Sequence, residues 1–208
     1  MAKFILAKKI EMSQVFDDKG KVHPVTWLEA GPMFVTQQKT KEKDGYTAVQ
    51  VGFGSKKEKN VKKPQKICQL ADGNYPAIFR EFRVQHPASD IQLPIVGDKI
   101  EATVFAEGDI VQVSGTTKGK GFQGTVKRHG FHGGPRTHGQ KHSERAPGSI
   151  GAVWPQRVLK GKRMSGHMGV DRVTVKNLKV IKIVPEKNLI AISGAVPGHR
   201  GSVVEVRG

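Results

Sequence analysis

One stretch near the middle of the chain, residues 115–169, constrains the fold more than any other feature. It holds 13 of the chain's 25 glycines and has no sustained apolar repeat of period 2 or 3.6. Such a stretch cannot bury enough apolar surface to offset the entropy that it would lose on ordering. We therefore predict that residues 115–169 form an extended arm, inserted into a globular domain made of residues 1–114 and 170–208.

Positive charge is concentrated in the same stretch. The 208-residue chain carries 35 Lys and Arg against 18 Asp and Glu, a net charge of +17. Residues 115–169 contain 11 of these basic residues and a single acid, Glu144, so they contribute +10 of the net charge. A compact protein this cationic repels itself unless a polyanion neutralises it. Composition therefore predicts a polyanionic partner.

The two flanks carry short apolar or alternating runs separated by turn-forming residues. The predicted strands are Phe4–Ile10, Val22–Leu28, Met33–Thr40, Tyr46–Phe53, Ala77–Val84, Ile100–Phe105, Asp109–Val113, Arg172–Val175, Val180–Val184, Leu189–Ser193 and Ser202–Val206. Strands at this spacing favour an antiparallel barrel or sandwich. We predict a mainly β fold: an antiparallel β-barrel built from both chain ends, with the Gly-rich basic arm inserted. One or two short helices are expected, at Pro64–Leu70 and Phe122–His129.

Several classes of protein are disfavoured by simple counts. A single cysteine, Cys68, cannot form an internal disulfide framework, and its position favours a small buried hydrophobic side chain. No apolar run approaches the roughly 18 to 20 residues that span a bilayer. Charges interrupt the apolar residues at the start of the chain, which disfavours a signal peptide. We expect a cytoplasmic protein with no membrane partner.

The glycines of residues 119–124 match the dinucleotide fingerprint G-x-G-x-x-G. That mechanism requires a helix whose N-terminus receives the pyrophosphate and an acid about 20 residues further on. The sequence that follows is rich in Gly, His and Pro, and its only acid is Glu144. The glycines are better explained by a close approach of the backbone to a bulky anion. We predict no cofactor.

Four histidines of the arm, His129, His132, His138 and His142, have spacings that would suit a metal ion. A stable site also needs carboxylates that orient the imidazole rings, and the arm offers only Glu144. Contacts of these histidines with nucleic acid are favoured over metal binding. We predict no metal and no catalytic site.

Nucleic-acid binding accounts best for the arm, because neutralised phosphates give affinity through counterion release. Trp154, between Val153 and Pro155, is able to stack on an unpaired base. The alternative is that it packs on Ile150 or Met164. The candidate RNA-binding residues are Lys118, Lys120, Lys127, Arg128, His129, Arg136, His138, Lys141, His142, Arg145, Trp154, Arg157, Lys160, Lys162, Arg163 and His167.

Several consecutive motifs carry a family resemblance. The stretch Ser114–Arg128, SGTTKGKGFQGTVKR, resembles the signature of the third large-subunit ribosomal protein. Pro147–Gly151 and Gly161–Gly169 are similar to the family's following motifs, as are the opening Lys8–Phe16 and the late Gly194–Gly198. The resemblance covers essentially the whole chain, in the right order, and the length is that of the bacterial-type members.

The resemblance implies a translation-factor-like β-barrel with a long loop that reaches towards the peptidyl transferase centre. It implies a primary binder of 23S-type ribosomal RNA near its 3′ end, acting early in assembly of the large ribosomal subunit. The fourteenth and nineteenth large-subunit proteins would be its neighbours, and no homo-oligomer is expected. Some members carry a methylated glutamine after the Gly-Ser-Ile-Gly run. Because the segment here is one residue shorter, we do not assign that modification to Gln156.

Overall fold

The strands and helices were assigned in a computed structural model, which describes residues 3–17, 19–68, 73–83 and 94–208. The strands of this part of the chain are β1 (Phe4–Phe16), β2 (Val22–Ala30), β3 (Met33–Lys39), β4 (Ala48–Phe53), β5 (Ile78–Arg83), β6 (Lys99–Ile100), β7 (Ile110–Thr116), β8 (Gly121–Gln123), β9 (Gly166–Met168), β10 (Arg172–Val184), β11 (Leu189–Ser193) and β12 (Val203–Arg207). Its α-helices are α1 (Lys41–Asp44) and α2 (Thr125–His129). None of the described helices is long and apolar enough to cross a membrane.

Six strands close into an antiparallel barrel in the order β1-β12-β7-β10-β11-β2. Strands from the two chain ends lie side by side in it, with Phe4 opposite Arg207. Strands β10 and β11 are joined through a 3-10 turn, Pro185–Lys187, and through Asn188 in the left-handed conformation. The predicted fold class is therefore confirmed: the chain is mainly β, with an antiparallel barrel formed from both chain ends and with short helices.

Branched aliphatic side chains of the barrel strands form much of the hydrophobic core. Ile5, Leu6, Leu28, Ile190 and Ile192 have no exposed surface. Aromatic residues make up only 6% of the chain, so Val, Ile and Leu must supply the core. These residue types also pack well on a pleated surface, which explains why the same residues form the strands. Each fully buried side chain of this size contributes about 1.5–3 kcal/mol.

A second sheet contains four strands in the order β5-β4-β3-β6. This differs from the prediction of a barrel alone, because an alternating pattern shows which residues are buried but not which strands pair. Strand β6 joins the sheet through Ile100, which lies opposite Met33. Phe82 of β5 stacks on Phe4 of the barrel with ring centroids 4.3 Å apart. The two sheets thus share one hydrophobic core.

Two predicted elements differ from the observed ones. The predicted strand Ile100–Phe105 is wrong beyond its first residue, because a 3-10 helix occupies Ala102–Val104. The predicted helix Phe122–His129 begins only at Thr125, because Phe122 belongs to β8 and lies opposite His167. Backbone pairing with a distant strand has overridden the local spacing of apolar residues.

Short helices elsewhere were also difficult to predict. The stretch Pro64–Leu70 contains a 3-10 helix, Lys63–Ile67, while Leu70 lies outside the described residues. Helix α1 was not predicted, since its four residues are all charged and carry no apolar pattern. It ends at Gly45, which adopts a left-handed φ of 78° that favours glycine.

The chain divides into two compact units. One consists of Met1–Gly115 together with Val173–Gly208, and the other is the continuous segment Thr116–Arg172. The first unit contains the shared core described above. We refer to Thr116–Arg172 as the basic segment; its own geometry is described next.

Candidate nucleic-acid interface

The two ends of the basic segment run antiparallel to each other. Strands β8 and β9 pair, and the Lys120 amide donates to the Met168 carbonyl at 2.9 Å. The Thr117 amide likewise donates to the Asp171 carbonyl at 2.9 Å. Gly169 has a φ of 82°, and a Cβ there would overlap the Lys118 carbonyl oxygen. This close approach explains why glycine stands at that position.

Helix α2 follows β8 and carries three basic side chains in its last turn. Positive charge is favourable at that end of a helix, and Gly130 then ends it in the left-handed conformation. The Arg128 guanidinium donates to the Met164 carbonyl at 2.8 Å, and the His129 ring contacts the same oxygen at 3.0 Å. Arg128 and His129 therefore fasten the helix to the chain that leads into β9.

A loop after α2 folds back on itself. The Gly134 amide donates to the Glu144 carbonyl at 2.9 Å, and Arg136 pairs with the Glu144 carboxylate at 2.7 Å. Gly133 has a φ of 76°, and a Cβ on it would overlap the Glu144 carbonyl oxygen. Glu144, to which the sequence analysis gave no role, therefore stabilises this loop through its backbone carbonyl and its carboxylate.

The predicted RNA-binding residues are exposed except for Arg128 and His129, which are half-buried. Lys118 and Lys120 precede β8, Lys127 lies on α2 and His167 lies on β9, while the loop between α2 and β9 carries Arg136, His138, Lys141, His142, Arg145, Trp154, Arg157, Lys160, Lys162 and Arg163. The arrangement spreads these groups over the whole segment and does not gather them into one catalytic cluster.

Most of the cations of the segment have no counterion. Arg136 pairs with Glu144, and Arg128 donates to a backbone carbonyl. Among the described residues, no carboxylate pairs with the remaining nine predicted cations, which are Lys118, Lys120, Lys127, Lys141, Arg145, Arg157, Lys160, Lys162 and Arg163. Unpaired exposed cations are the groups that bind phosphate most readily.

Large apolar side chains are exposed between Ile150 and Leu159. Trp154 is 81% exposed and Val153 is 88% exposed. The indole of Trp154 is therefore not buried against Ile150 or Met164, which was the alternative to stacking on a base. Val158 and Leu159 are also exposed, and sequence reasoning did not single them out. The signal that could have identified them is an apolar pair within a basic segment that has no apolar repeat.

The geometry of the basic segment gives little support to a dinucleotide site or to a metal site, the two alternatives to nucleic-acid binding. The glycines of residues 119–124 span a β-strand, not the turn between a strand and a long helix that binds a pyrophosphate. Helix α2 has only five residues. No group of three or more His, Cys, Asp or Glu side chains lies close enough to hold a metal ion in the part of the chain that the structure describes.

The comparisons with known proteins agree with the resemblance. A family model described as Ribosomal protein L3 matches residues 94–188. A "Large ribosomal subunit protein uL3" of Pelotomaculum thermopropionicum is 50% identical over 208 residues, covering 100% of this chain and 97% of its own length. Proteins of the same name from Finegoldia magna and Syntrophobacter fumaroxidans are each 48% identical, and each is covered over 97% of its length. The chain therefore belongs to the ribosomal protein L3 family.

Proposed function

We propose that this chain binds large-subunit ribosomal RNA through the basic segment. By its family it is a structural ribosomal protein and not an enzyme. The observation that carries the proposal is the set of nine exposed, unpaired cations on a segment with very few acids. These side chains would neutralise phosphates of the RNA and release the cations condensed on it, which gives strong, salt-dependent affinity.

Folded RNA fits the segment better than duplex DNA. Trp154 and Val153 project large apolar surfaces that a regular duplex has no means to cover. Folded RNA offers splayed and unstacked bases, against which an indole stacks favourably. Glycine-rich backbone between the cations allows close approach to phosphates. A general DNA-compacting role would instead predict little preference for ribosomal RNA over duplex DNA.

We further propose that the exposed apolar side chains around Trp154 lie near the peptidyl transferase centre. The proximity to that centre comes from the family resemblance, and the stacking comes from the exposure of the ring. Trp154 would brace the conformation of the catalytic RNA without taking part in the reaction. The segment would thus act on peptide-bond formation indirectly, through RNA structure.

The globular unit would bind other proteins of the large subunit in the cytoplasm. Its hairpin of β1 and β2 exposes Met12, Phe16 and Val22 beyond the residues that pair with the rest of the barrel. Exposed apolar surface of this kind favours a protein contact. The fourteenth and nineteenth large-subunit proteins are the neighbours that we propose, together with an early role in assembly as a primary binder near the 3′ end of the RNA.

Fractionation of cells on sucrose gradients tests this proposal. Tagged wild-type protein should sediment with the large subunit. A Lys120→Glu/Lys160→Glu variant reverses two unpaired cations of the basic segment and should shift towards the top of the gradient. A Lys59→Glu/Lys62→Glu variant makes the same charge change at exposed positions of the globular unit and serves as the matched control. Wild-type protein found only at the top of the gradient would overturn the proposal.

A further inference from the structure

The basic segment contains a cleft of about 660 Å³ that lies entirely within it. One part of its lining comes from the end of α2 and the residues that follow, among them His129, Phe131 and His132. Another part comes from residues 143–148, and Arg163 completes the lining. None of the residues that line the cleft is acidic. The volume falls within the range of sites that bind small organic ligands.

Backbone contacts fix two sides of this cleft relative to each other. Residues 133–134 and 143–144 lie side by side through the hydrogen bond from the Gly134 amide to the Glu144 carbonyl. Both sides approach closely only because residue 133 has no side chain. Glycines also line the cleft at positions 130 and 148, which leaves peptide groups accessible to a ligand.

Aromatic side chains in the cleft have a defined geometry. The His129 ring is fixed by its contact with the Met164 carbonyl at 3.0 Å. The Phe131 ring lies 6.1 Å from it, centroid to centroid, and is tilted by 46°. A planar ligand that stacks on one of these rings would meet the other at an angle, an arrangement that aromatic groups prefer over parallel sandwiches.

We propose that this cleft binds a single unstacked nucleotide of the bound RNA. The base would stack on Phe131, and Gln140 and Ser143 would offer hydrogen bonds to its edge. Arg163 would hold the adjacent phosphate, a group that a guanidinium binds through paired donors. The inference rests on the proposed function and adds to it a defined site for one nucleotide, separate from the exposed ring of Trp154.

Two variants on different parts of the lining test the cleft. Phe131→Leu removes the ring but keeps an apolar side chain, while Ala146→Leu fills the space from the opposite sequence segment. Both leave the net charge unchanged. Phe79→Leu, at a half-buried phenyl of the globular unit outside the cleft, is the matched control. Each protein is titrated onto a 3′ fragment of large-subunit ribosomal RNA, and the bases of the bound RNA are probed chemically.

Both cleft variants should weaken binding by about 5- to 150-fold, the range expected for loss of one stacked base. One base should become newly reactive, and the salt dependence should stay unchanged because no charge is removed. If both variants bind the RNA as tightly as wild type, with the same salt dependence and the same base reactivity, the proposal for the cleft is wrong but the proposed function stands. Wild-type protein that does not bind RNA overturns the proposed function as well. Free nucleoside monophosphates should bind the wild-type chain far more weakly than the RNA fragment does. A different result would overturn the assignment of the cleft to RNA: a free nucleotide that binds the wild-type chain tightly, and whose binding both variants lose although they keep their affinity for RNA.

Discussion

The affinity of the full chain for ribosomal RNA should depend steeply on salt. Nine predicted cations of the basic segment are exposed and have no carboxylate partner in the described structure. If each neutralises one phosphate, the slope of log K against log salt should be about −6 to −8, from roughly −0.7 to −0.9 per contact. Between 50 and 200 mM salt, affinity should therefore fall by about 10⁴- to 10⁵-fold.

Single substitutions sharpen this count. Lys160→Gln removes an unpaired cation and should make the slope shallower by about 0.7–0.9. Arg136→Gln should leave the slope nearly unchanged, because Glu144 at 2.7 Å already neutralises Arg136. Glu144→Gln frees that guanidinium and should steepen the slope by the same amount. The three variants therefore show whether a cation that already has a carboxylate partner contributes less to the salt dependence than an unpaired cation of the same segment.

The assay is fluorescence anisotropy of a labelled 3′ ribosomal RNA fragment, titrated with each protein at several KCl concentrations. Circular dichroism confirms that each variant keeps the β-rich fold. Equal loss of slope in Lys160→Gln and Arg136→Gln would refute the reasoning, because it would show that the Arg136–Glu144 pair does not persist in solution. A wild-type slope near zero would show that phosphate neutralisation is not the main source of affinity.

Further perturbations test other parts of the molecule. Trp154→Ala should leave the melting temperature unchanged, because the ring is 81% exposed, while ribosomes that carry it should show altered peptidyl transfer or tRNA binding in kinetic assays. Ile192→Ala empties a fully buried position and should lower the free energy of unfolding by about 2–5 kcal/mol in urea denaturation. Hydrogen bonds from the Ala106 amide and from Lys3 hold the pKa of Asp109 below its ordinary value, so its stabilising contribution is present above about pH 4 and is lost as pH falls through the lowered pKa. Asp109→Asn should therefore be less stable than wild type at pH 7, and the two unfolding curves should converge under acid conditions. Replacing Thr116–Arg172 by a short Gly-Ser linker should leave a folded barrel, since the core residues lie outside that segment; loss of the cooperative melting transition would contradict this.

The barrel was predictable because its strands carry dense branched aliphatic residues between clear turns. Leu189–Ser193 is an example in which the predicted and observed bounds are the same. The second sheet was not predictable as a separate layer. Its edge strand depends on Ile100 meeting Met33, a contact between residues far apart in the chain. Local patterns do not encode such pairing, since any two apolar strands are chemically compatible.

The basic segment shows the same limit at the level of single side chains. Its net charge follows from composition, whereas the exposure of Trp154 does not, because the sequence allowed the ring to pack on Ile150 or Met164. From the sequence alone, Arg128, Arg136 and Lys160 are equally good candidates for binding phosphate. The structure separates them, since Arg128 donates to the Met164 carbonyl and Arg136 pairs with Glu144. These partners lie 36 and 8 residues away along the chain, beyond any local spacing rule.

The pairing of β1 with β12 sets an order of events during translation of this protein itself. Strand β12 lies between β1 and β7, so the ring cannot close until Val203–Arg207 has left the exit tunnel. The basic segment emerges earlier, when β1 has only β2 as a partner and β7 has neither of its neighbours, β12 and β10. We expect protease digestion of nascent chains stalled before Val203 to cleave these strands readily. The nascent chain therefore presents its most cationic part to RNA before its own barrel is complete.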